Sequence, residues 1–131
     1  MVTEKEMRFQ GKNKDLSQLS QQIGTYLQND GYKVQSATLT VPSAGFVVQA
    51  QKAGILRDII TAERCFTITT TGQPNDFTVK IGIGKWVQNI AVAVAEAAIL
   101  SVLFLAVDVP EMLWTIHVEN KIAKKITELA A

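Results

Sequence analysis

The stretch from Trp86 to Val107, WVQNIAVAVAEAAILSVLFLAV, constrains this chain more than any other. It is 22 residues long and carries one ionisable group, Glu96. Placed on a helix, its large apolar side chains point to opposite sides: Trp86, Ile90 and Phe104 to one, Val92, Ile99 and Leu103 to the other. A helix apolar on every side must be covered on every side, by its own fold, by a partner or by lipid. A chain of 131 residues has little other material with which to surround it.

The segment has the length of a membrane span, which takes about 20 apolar residues. Three features argue for a buried core or interface helix instead. Glu96 sits near the middle, where a carboxylate costs about 2.5–3.5 kcal/mol on insertion scales. Five alanines between positions 91 and 98 dilute the hydrophobicity. The flanks carry Lys80 and Lys85 before and Asp108 and Glu111 after, with no strong excess of positive charge. The N-terminal MVTEKEMRFQ is charged and lacks the apolar core of a secretory signal, so the expected compartment is the cytoplasm. The membrane remains the lesser alternative.

The rest of the chain reads as one α+β domain over residues 1–131. Met7 and Phe9 alternate with polar neighbours in a short opening strand. Leu16, Leu19, Ile23, Tyr26 and Leu27 share a stripe about 120° wide, which predicts an amphipathic helix capped by Asn13 or Asp15 and stopped at Asn29-Asp30-Gly31. Four strands follow. In the first, 32–41, the apolar phase changes near Ser36, which predicts a bulge. In the others Phe46, Val48 and Ala50, then Phe66, Ile68 and Thr70, then Phe77, Val79, Ile81 and Ile83 define one apolar face. The alternate positions are rich in Thr, Gln and Lys, so the second face is expected to be wet. After 86–107, Asp108-Val109-Pro110-Glu111 signals the start of a last helix, whose Trp114, Val118, Ile122, Ile126 and Leu129 share one side. The expected fold is a four- to five-stranded antiparallel sheet with one N-terminal and two C-terminal helices packed on one face, in the order β-α-β-β-β-β-α-α. By element order alone this is similar to TBP-like or helix-grip domains.

Chemistry-bearing residues are sparse. Thirteen Lys+Arg stand against twelve Asp+Glu, and neither half is basic enough for a nucleic-acid footprint. One Cys and one His leave no Cys/His zinc site, and the sequence names no catalytic set, metal or cofactor. His117 falls on the polar side of the last helix with Lys121 and Lys124, as a solvated residue. Cys65 has no His or Lys beside it to activate it and reads as inert. Gly82-Ile83-Gly84-Lys85 lacks phosphate-loop spacing and reads as a strand-to-helix hinge.

Two functional readings follow. The first is a non-enzymatic interaction or scaffolding domain, a homo-oligomer that associates through Trp86, Ala91, Ala95, Ile99 and Leu103, where alanines allow close backbone approach. The second is a carrier of a small apolar ligand held between the sheet and helix 86–107. Phe46, Phe66 and Phe77 would line the cavity, Ile55 and Ile59 would form a flap within the 53–63 connection, and Glu96 with Asn89, two turns apart on one side, would be the polar contacts.

Overall fold

Alternation of apolar and polar residues every second position marks five strands, which pair into one sheet. The structure is a computed structural model that describes residues 5–40, 44–51, 64–87, 89–90 and 109–131, excepting the side chains of residues 64 and 109–119. The elements are β1 (Lys5–Gln10), α1 (Leu16–Asn29), β2 (Lys33–Leu39), β3 (Gly45–Gln51), β4 (Arg64–Gln73), β5 (Asp76–Lys85) and α2 (Val109–Ala130). The fold is α+β, an open antiparallel sheet of order β1-β5-β4-β3-β2 with two helices among the described residues.

β2 to β5 form a meander, and β1 adds to its far edge against β5, pairing Phe9 with Phe77. Their rings stack with centroids 5.3 Å apart. β1 and β2 therefore lie at opposite edges, and the link between them must travel across the sheet. It does so along the tip of the β4–β5 hairpin, where Gly11 N–H donates to Asn75 O at 2.7 Å and Lys14 N–H to Pro74 O at 3.1 Å. Asp15 then caps α1, accepting from Gln18 N–H at 3.2 Å. The 14 residues of α1 span about 21 Å, close to the length of the strands it lies on. Its stripe Leu16, Leu19, Ile23 and Leu27 is buried, as the spacing predicts.

α1 rests over β2 to β4, and α2 covers the same face over β1 and β5. Between them they bury Phe66, Ile68, Phe77, Val79, Ile81 and Ile83, with Ile122 and Ile126 of α2 facing this core. Lys5 of β1 reaches Asn120 Oδ1 of α2 at 2.8 Å, tying the helix to that edge.

Three expectations need correction. The β2–β3 register runs unbroken from Lys33↔Gln51 to Leu39↔Gly45, so Ser36 is not a bulge. The change of phase in the sequence comes from Ser36 and Thr38, which occupy the helix-facing positions of β2 yet are exposed. The second face is not uniformly wet: Val47, Gln49, Cys65, Thr67 and Thr69 are all buried there. Gly82 and Gly84 are not a hinge but strand residues, paired with Thr67 and Cys65.

The expected helix 86–107 lies outside the described residues beyond Ile90. What is described of it begins later than the spacing implied. Trp86 and Val87 are not helical, and Asn89 has φ 55°, the left-handed conformation. The flap 53–63 and the turn at 41–43 also lie outside the described residues.

Candidate functional site

Gln49 lies in β3 between Val48 and Ala50, in a strand buried on both faces. Its side chain is fully buried on the second face of the sheet. An amide buried there needs partners for two donors and an acceptor oxygen. It finds them all. Nε2 donates to Thr67 Oγ1 at 3.2 Å and to Lys85 O at 2.8 Å. Oε1 accepts from Gln35 Nε2 at 2.8 Å and from Val87 N–H at 3.1 Å. Gln35, in β2, also donates to Val87 O at 2.8 Å.

These bonds dictate the path of the chain. β5 ends beside β4, yet residues 85–87 leave it across the second face toward β2. Gly82 and Gly84 carry no side chain on that face, so the backbone has room to pass close to the sheet. At the far side the Lys33 ammonium sits 5.2 Å from the Trp86 ring centroid. Gln49 thus acts as a clamp that holds the start of the 86–107 segment over the β2–β3 edge.

Cys65 sits beside the clamp, 3.9 Å from Thr67 Oγ1 and donating toward Gly84 O at 3.7 Å. Burial pushes its thiol up to about 12, so it stays protonated and unreactive at neutral pH. The groups bonded to Gln49 are neutral, and their chemistry is hydrogen bonding.

Among the described residues, those named from sequence for function lie at separate places in the fold. Phe66 and Phe77 are core residues beneath α1 and α2, and Phe46 is half-buried at the margin of the same core. Trp86 is half-buried on the opposite side of the sheet. Asn89 is exposed, with a left-handed backbone at φ 55°. Glu96, Ile55, Ile59, Ala91, Ala95, Ile99 and Leu103 lie outside the described residues, as does the side chain of His117. Gln49 was the residue that sequence reasoning missed. Its signal was an amide interrupting the apolar run Phe46-Val47-Val48, read as wet because its alternation phase was shared with Gln51.

A shallow groove of about 480 Å³ separates α1 from α2, lined by Gln18, Gln21, Gln22 and Tyr26 among others. Its ammonium, Lys125, lies 5.6 Å from the Tyr26 ring centroid and 3.9 Å from Glu128. Among the described residues no cluster of His, Cys, Asp and Glu fits a metal ion, and no helix is long and apolar enough to cross a membrane. Compared with known protein families, curated protein sequences and solved structures, the chain matches none.

Proposed function

We propose that this chain is a non-enzymatic interaction domain that associates with a second copy of itself through the apolar segment 86–107. The observation that carries the reading is that α1 and α2 already cover the centre of the first face of the sheet, leaving Phe66 0 % and Phe77 1 % exposed beneath them. The reading assigns the next apolar segment to the second face, and what supports this is that Gln49 holds Lys85 and Val87, at the start of that segment, on that face. In this reading 86–107 holds a third helix, lying on that face. One sheet shelters one side of a helix. The outward side of a helix apolar all round then needs a partner of the same character, and Trp86, Ala91, Ala95, Ile99 and Leu103 supply it from both copies.

Native mass spectrometry of the purified full chain tests this. The expected spectrum is a dimer without bound small molecules, and Leu103→Lys shifts it toward monomer. A chain that stays monomeric up to millimolar concentration overturns the reading. A co-purified apolar molecule replaces it with the carrier reading, and a requirement for detergent replaces it with membrane attachment.

A further inference from the structure

We propose that the outer edge of β2 is the seam of this self-association, pairing antiparallel with β2 of the second copy about a two-fold axis at Ser36. The inference rests on the self-association reading and gives it a geometry. Among the described residues β2 has one strand neighbour, β3, so its other side presents a row of backbone N–H and C=O groups. Such edges are templates for another strand, and monomeric proteins blunt them with charge, proline, bulges or shortness. β1 is blunted in this way. Three of its six residues are ionisable. Lys5 is tied to α2, and Arg8 forms an exposed ion pair with Asp76 at 2.8 Å.

β2 has fewer of these devices. Its seven residues, KVQSATL, hold no proline and one charge. Its pairing with β3 is continuous through Ser36, so no bulge twists the edge away. Its one charge, Lys33, is drawn over the Trp86 ring of its own chain.

The strand is also complementary to itself. Centred on Ser36, antiparallel pairing sets Lys33 across from Leu39, Val34 from Thr38 and Gln35 from Ala37, with no like charges opposed. Val34, Ser36 and Thr38 all face the α1 side, so both copies keep their helices on the same side of a continuous sheet. The contact is isologous and closes at two subunits. It is also close to Trp86 and Val87, where the apolar segment begins. Lys33, beneath Trp86, stands about 10 Å along the strand from the axis, and Gln35, one residue from Ser36, holds Val87. The seam therefore brings the start of each apolar segment toward its counterpart.

The test is a charge swap at the exposed Ser36, read by sedimentation equilibrium of the full chain. Directly opposed side chains stand about 5 Å apart at Cβ, so Ser36→Lys alone and Ser36→Glu alone each place like charges face to face. Each variant is expected to dissociate at least tenfold more readily than the wild type, and an equimolar mixture is expected to recover the dimer. A wild-type dimer that survives both single variants unchanged overturns the seam while leaving self-association standing. Monomeric wild type overturns both. Dissociation by Leu103→Lys with no effect at Ser36 places the contact on 86–107 alone and overturns the seam.

Discussion

The side-chain oxygen of Gln49 accepts the backbone N–H of Val87 at 3.1 Å, 38 residues further along the chain. Together with the bond from its Nε2 to Lys85 O, this fixes where the chain goes after the last strand. Replacing Gln49 by Leu keeps the volume but leaves Val87 N–H and Lys85 O without these partners. Val87 is half-buried and Lys85 exposed, so each unpaired group costs toward the low end of about 1–3 kcal/mol, and the expected loss in urea unfolding is about 1–3 kcal/mol. Gln21→Leu on the exposed side of α1 is expected to change stability by less than about 0.5 kcal/mol. Amide exchange at Val87 should accelerate in Gln49→Leu more than exchange at Ile81, deep in β5.

Alkaline pH should weaken the fold in a defined window. Burial raises the Cys65 thiol from its ordinary 9.0 to about 12 and the Tyr32 hydroxyl from 10.0 to about 12. Asp30 and Tyr26 add to the Tyr32 shift. A group whose folded value is raised contributes stability that is whole below its unfolded value and lost as pH rises through the folded one. Stability is thus expected to decline from about pH 9 and to be lowest near pH 12. Cys65→Ala should delay the onset to about pH 10, leaving the Tyr32 part. Thiol titration of the native protein at pH 8 should find Cys65 unreactive and of the denatured protein, fully reactive.

The Arg8–Asp76 pair acts in the opposite direction. Hydrogen bonding from the Arg8 guanidinium, at 2.9 and 2.8 Å, holds the Asp76 carboxyl below its ordinary value. The stability it supplies is present above the ordinary carboxylate range and lost as pH falls through the lowered value. Both side chains are substantially exposed, so the contribution is small and screened by salt. In an NMR titration Arg8→Ala should return the Asp76 carboxyl to its ordinary value.

Gly72 is required by the β4–β5 hairpin. It has φ +120°, and a Cβ there would stand 2.5 Å from Asp76 O and 2.9 Å from Phe77 Cα. Gly72→Ala should therefore cost about 2–4 kcal/mol in thermal or urea unfolding. Gly11, at φ +71° with open space where a Cβ would go, should cost about 1 kcal/mol for the same change. Equal costs at the two sites would mean that backbone conformation alone sets the penalty.

Phe66 anchors the helix-covered core, its ring 6.2 Å from that of Tyr32 and fully buried. Phe66→Ala is expected to cost about 3–5 kcal/mol by urea unfolding. The half-buried Phe46 should lose less.

The strands, α1, and the buried side of α2 at Ile122 and Ile126 were legible in the sequence, because each rests on a local period of two or 3.6 residues, while the choice of Asp15 over Asn13 as the cap of α1 came from the structure. The β4–β5 turn was legible for the same kind of reason, from Gly72, Pro74 and Asn75. Local pattern carries no information on which strand lies beside which. The placement of β1 against β5, the sharing of one sheet face between α1 and α2, and the straight edge of β2 at Ser36 were decided by tertiary packing. The same holds for Gln49. Its polarity marks it for water in any local reading, and its burial is made favourable by partners that only the tertiary structure brings, Thr67 and Gln35 from the neighbouring strands and Lys85 O and Val87 N–H from the passage over the sheet.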